Sequence, residues 1–164
     1  MSDWIIVSDA TPLIGLAKID GVVWLKRLFG EIWIPQAVYH EVVVAGSGKV
    51  GSEEIAQAAW IRTISVTDRE KVTYLLTQLD TGEAEAIVLA KERDADWLLM
   101  DEIRGRTIAQ GLGLKVIGTL GILLLAKDEG LVPEVRPLLD ALMTQRFRIS
   151  DFVYRQVLRQ AGEL

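Results

Sequence analysis

Two short apolar runs in the chain stop abruptly on an acid: Trp4-Ile5-Ile6-Val7-Ser8-Asp9 and Trp97-Leu98-Leu99-Met100-Asp101. Runs of about four apolar residues are short for a buried helix and fit strands covered on both faces. A helical pattern follows each at once. After Asp9, Thr11-Pro12 puts proline where a helix begins, and Leu13, Leu16 and Ala17 keep apolar helical spacing; residues 102–111 follow Asp101 as helix. Strand, acid, helix, stated twice, predicts a parallel sheet with helical crossovers, each acid lying at the carboxyl end of its strand.

The remaining chain keeps the alternation. A helix is expected over 22–29, then a strand over 31–34 that Pro35 ends, then a helix over about 36–44 carrying Glu41. Residues 46–51 form a glycine-rich turn; Lys49 lacks both the following Ser/Thr and the earlier glycine of a phosphate-binding loop. A short helix and a strand over 61–66 come next. Thr67-x-x-Glu70 matches a capping box ahead of a helix reaching about 79, Asp80-Thr81-Gly82 breaks the chain, and an Ala-rich helix runs from Glu83 to about Arg93. A strand over 115–117 precedes an apolar helix from Thr119 to about 129, and two helices follow from about 131, the last capped by Ser150. No repeat or long linker divides the chain, so one domain over 1–164 is expected: α/β, a three-layer α/β/α sandwich with a mainly parallel central sheet. In such sheets ligands bind beyond the carboxyl ends of the strands.

Composition narrows the chemistry. With no cysteine, thiolate metal sites, disulfides and thiol nucleophiles are excluded, and the single histidine, His40, cannot make a multi-histidine site or, without a Gly-x-Ser-x-Gly elbow, serve a serine hydrolase. Catalysis would have to come from carboxylates, hydroxyls and basic groups. A net charge of −5 argues against bulk electrostatic attachment to nucleic acid but allows a local basic patch. Hydrophobic residues make up 50% of the chain, which suits elements buried on several sides and an interface with a second copy. The apolar stretch 120–126 is far shorter than the roughly 20 residues of a membrane span, and the start lacks the basic region of a secretory signal, so a cytoplasmic protein without membrane attachment is expected.

Asp9, Glu41, Glu83 and Asp101 are the acids that strand ends and helix starts should bring to one rim of the sheet. Each has a bland reading. Asp9 could cap the next helix, Glu41 could be a surface acid, Glu83 could answer the helix dipole, and Asp101 could pair with Arg104 or Arg106. Glu83 shares helical spacing with the core positions Ile87 and Ala90, whereas Asp80 precedes the helix and Glu85 projects elsewhere, so both rank lower. As a set, clustered carboxylates repel one another, and a hard divalent cation is the usual remedy; with no soft ligand in the chain, Mg2+ or Mn2+ fits.

These residues resemble the active site of the PIN domain family, metal-dependent ribonucleases that include VapC-like toxins of prokaryotic toxin–antitoxin pairs. The likeness is carried by Asp9, by Ile34-Pro35-x-x-Val38-x-x-Glu41, by Glu83 opening an Ala-rich helix where Asp is commoner, and by Asp101. It is nearest to a small prokaryotic subgroup through Asp9-Ala10-Thr11-Pro12-Leu13-Ile14, Gly82-Glu83-Ala84-Glu85-Ala86-Ile87 and Gly118-Thr119-Leu120-Gly121-Ile122-Leu123. The resemblance implies an endoribonuclease with Asp9, Glu83 and Asp101 holding Mg2+ or Mn2+ directly or through water and Glu41 completing the catalytic set. Glu85 is the fallback for Glu83; Thr11, Glu102, Arg104 and Arg106 are secondary or substrate-binding candidates. It also implies an RNA substrate, a cognate antitoxin and a homodimer. The alternative is a PIN-like module that binds nucleic acid or protein with little catalysis.

Overall fold

The computed structural model describes residues 3–164. Its elements run β1 (Ile6–Ser8), α1 (Ala10–Ala17), α2 (Val22–Phe29), β2 (Ile32–Ile34), α3 (Gln36–Tyr39), α4 (Ser52–Gln57), β3 (Ile61–Thr63), α5 (Arg69–Leu75), α6 (Thr81–Glu92), β4 (Trp97–Leu99), α7 (Ile103–Gly111), β5 (Val116–Ile117), α8 (Thr119–Asp128), α9 (Arg136–Thr144) and α10 (Asp151–Gln160). The strands form one sheet in the order β3-β2-β1-β4-β5, every pair parallel. Strand residues alternate between two hydrophobic layers, as a period of two requires. Ile6, Ile32, Ile34 and Leu99 join the layer with α1, α2 and α8–α10, while Val7, Leu98 and Met100 join the layer with α5–α7. The result is the three-layer α/β/α sandwich.

The order places the site. From β1 the chain moves outward through β2 to β3, then returns across β1 to lay down β4 and β5, so the direction of winding reverses between β1 and β4. Helices leaving these two strands diverge to opposite faces and open a crevice at the carboxyl edge. Ser8 pairs with Leu99, which puts Asp9 one residue and Asp101 two residues beyond that rung.

Three local expectations are corrected. The helix over 36–44 is not uniform: after Tyr39 it widens into a π-helical segment, His40–Val44, that carries Glu41. The capping box at Thr67 is absent. The Glu92 carboxylate takes the Thr67 and Asp68 N–H groups, so the helix starts one residue later and is capped by Asp68, which accepts from the Lys71 N–H. The break at 80–82 is instead a helix start: Asp80 accepts from the Glu83 N–H at 2.8 Å and Glu83 accepts from the Asp80 N–H at 3.1 Å, a reciprocal capping box that begins α6 at Thr81.

The last helices are tied in by Glu163, whose carboxylate accepts from Lys127 at 2.9 Å and from the Val135 and Arg136 N–H groups at 2.7 and 2.9 Å. Burial alone would raise its pKa, but those donors outweigh it and hold the carboxyl down to about 2. A carboxyl at 4.5 unfolded and about 2 folded contributes stability that is complete above 4.5 and lost as pH falls towards 2. Glu163→Gln should therefore cost roughly 1–3 kcal/mol at pH 7, and the gap from wild type should close between those two pH values in urea titrations.

Candidate active site

Asp9 follows β1 directly and is 3% exposed. It occupies the N-cap position of α1, yet its side chain makes no capping bond, so helix capping does not account for it. Burial lifts the Asp9 carboxyl to about 7; the Ala10 N–H pulls it back, and the charges of Glu83, Asp80 and Glu41 push it further up. The α6 start brings these acids together. A Cβ on Gly82 would stand 3.1 Å from Glu41 Oε1 and 3.5 Å from Asp9 Oδ1, so glycine at 82 leaves space beside both carboxylates. Burial, then Asp80, raises the Glu41 carboxyl. Glu83 is half-buried at the mouth and also raised, by burial first, against the opposing Asp80 N–H bond.

Asp101 lies on the same rim but is held differently. Its two oxygens accept from the Thr119 N–H and Thr119 hydroxyl, both at 2.7 Å, fixing the carboxylate against the start of α8. Burial raises it; both Thr119 bonds and the nearby Arg106 charge lower it. Arg106 donates to the Met100 carbonyl at 2.9 Å, and a Cβ on Gly118 would come within 2.7 Å of Asp101 Oδ1 and 2.8 Å of Arg106 Nη1. Asp101 forms no salt bridge with Arg104 or Arg106 among the described residues.

The other candidates separate. Glu85, not Glu83, is the buried acid of α6: its oxygens take the Ala37 N–H at 3.0 Å and the Arg69 guanidinium at 2.8 Å, so it bridges α3, α5 and α6. Glu102 caps α7 by accepting the Gly105 N–H at 2.8 Å. Thr11 is exposed and lines a groove with Asp101 and Arg106; Arg104 is exposed outside that lining. Sequence reasoning missed Thr119, Gly118 and the part played by Asp80. The Asp-x-x-Glu spacing of 80–83 was a readable cap signal, whereas Gly118-Thr119 stood only within a family motif and the Thr119–Asp101 bond links the ends of two strands.

A model of the PIN domain matches residues 5–163. The chain belongs to the PIN domain family. PIN domains are generally nucleases, and nucleic acid is accordingly the class of molecule this fold binds. The family fold agrees with the five-stranded parallel sheet flanked by helices. No curated protein matches the chain. Among the described residues no helix is long and apolar enough to cross a membrane.

An acid that titrates near 7 folded and 3.8 unfolded holds more protons folded across that window, so stability falls as pH climbs through it. In EDTA, Asp9→Asn should match wild type near pH 4 and unfold several degrees higher at pH 8. Equal melting temperatures at both pH values would contradict the buried, charge-crowded Asp9. Gly118→Ala should lose roughly 1–3 kcal/mol of stability by forcing Asp101 or Arg106 aside, measurable by chemical denaturation.

Proposed function

We propose that this PIN domain is a divalent-metal-dependent endoribonuclease of the cytoplasm, the toxin of a toxin–antitoxin pair, working as a homodimer with a cognate antitoxin. The observation that carries the nuclease reading is a buried Asp9 with Glu41, Asp80 and Glu83 raising its pKa, at the carboxyl edge where the sheet reverses. Such a set is charge-deficient: it favours a proton or a cation. The donors are all oxygen, which suits Mg2+ or Mn2+. Among the described residues no three of these side chains stand close enough to share one ion. Mg2+ commonly keeps several waters and binds through one or two carboxylates. Asp9 would hold the ion directly, with Glu41, Glu83 and Asp101 reaching it through water. Bound there, the ion supplies charge that screens a phosphate and acidifies water.

The chain's own residues do the rest. Thr119 fixes Asp101 so that its carboxylate faces the groove without a free rotor. Glu83, at the solvent edge, receives the proton lost by the attacking water. Attack on phosphorus forms the new P–O bond as the bond to the leaving sugar oxygen breaks, and that oxygen takes a proton from solvent.

The binding-module alternative is favoured by one observation: both Asp101 oxygens are already occupied by Thr119. One assay separates the two. Wild type with manganese should cut structured RNA at least tenfold faster than Asp9→Asn/Asp101→Asn; equal rates with RNA still bound would leave the module.

A further inference from the structure

Beside Asp101 lies a groove of about 770 Å³ whose lining differs in charge from the rest of the chain. It presents four basic side chains, Lys18, Arg106, Arg146 and Arg148, against the single acid Asp101, in a protein of net charge −5. The cations come from separate elements: Lys18 ends α1, Arg106 belongs to α7, and Arg146 and Arg148 flank Phe147 in the turn between α9 and α10. Between them the floor is apolar, with Ile14, Ile117 and Leu120 half-buried. Lys18, Arg146 and Arg148 are exposed and, among the described residues, form no salt bridge.

The turn is the informative part. Arg146 has φ of +68°, the left-handed region. The other non-glycine residues with positive φ, Asp20 and Asp94, are of a type that tolerates it through short polar side chains; arginine gains nothing there. Glycine or asparagine closes a helix in this conformation without that cost. The turn itself is anchored: Phe147 donates its N–H to the Leu142 carbonyl at 2.9 Å, and its ring lies 3.5 Å from where a Cβ on Gly15 of α1 would be. A long cation is thus kept, at a backbone cost, on a fixed turn that overhangs the groove next to Asp101. Strain of this kind is retained where the side chain has work to do.

We propose that the turn Arg146–Phe147–Arg148, with Lys18, is a phosphate clamp that seats the backbone of single-stranded RNA in this groove and delivers it past Asp101 to the acidic rim. Cations drawn from separate elements can meet more than one phosphate, and the apolar floor offers a surface for a base or sugar, which a free anion does not need. The clamp rests on the nuclease reading only for the identity of its ligand, and its residues act by positioning.

The test is binding without cleavage: fluorescence anisotropy of a labelled single-stranded RNA of mixed sequence in EDTA. Arg146→Gly/Arg148→Ala should weaken binding about tenfold and lower the slope of log affinity against log salt by about 1–2. Arg155→Ala removes one charge from an ion pair with Asp151 outside this groove and should change neither. Arg146→Gly alone should melt at or above the wild-type temperature while binding less RNA, which a merely structural turn would not do. Unchanged affinity in the double variant, no RNA binding by wild type, as expected of a turn that faces a protein, or complete displacement by inorganic phosphate at matched phosphate concentration would each overturn the clamp. Loss of cleavage in Asp9→Asn/Asp101→Asn is read separately, so the clamp and the catalytic site fail independently.

Discussion

A carboxylate buried at the end of a parallel strand needs compensation for its charge, and among the described residues Asp9 has only the Ala10 N–H to supply it. The residue is 3% exposed, caps no helix, and is surrounded by acids whose charges add to the penalty of burial. The fold builds this arrangement rather than merely tolerating it. The sheet reverses direction between β1 and β4, so the neighbouring strand ends carry Asp9 and Asp101 to one rim, Asp9 buried there and Asp101 lining the groove. The start of α6 then brings Asp80, Gly82 and Glu83 to the same place, and glycine at 82 leaves space beside the Asp9 and Glu41 carboxylates.

The rim has two halves of opposite character, with Asp101 at the seam. On one side the acids crowd around Asp9; on the other the groove gathers Lys18, Arg106, Arg146 and Arg148. Thr119 holds Asp101 by two bonds, which fix the position of its carboxylate between the halves. An overall acidic protein can in this way offer a polyanion a local positive approach to a negative centre. In the proposed reaction, a divalent cation between phosphate and carboxylates would reconcile the two signs.

Much of this was legible in the sequence because the signals were local. The strand-to-acid junctions at Asp9 and Asp101, the helix over 22–29 and the Ser150 cap are all set by neighbouring residues, and the structure places each within a residue or two. Element edges went astray where a distant group intervened. Glu92 captures the Thr67 and Asp68 N–H groups from another helix and shifts the start of α5. The π-helical widening at His40–Val44 has no counterpart in an apolar periodicity of about 3.6. The division of labour between Glu83 and Glu85 turned on helix phase: with α6 beginning at Thr81, Glu85 points into the packing against α3 and α5, and Glu83 stays at the mouth. The groove cations lie far apart in sequence, on elements that only the tertiary fold assembles.

The central claim is that the charge deficit at Asp9 is met by a divalent cation. Anomalous scattering from crystals soaked in manganese tests it most directly. A single peak bonded to the Asp9 carboxylate, with Glu41 or Glu83 in reach through ordered water, is the predicted result. Crystals that show no peak at this rim, at manganese concentrations that saturate other weak sites, would contradict it.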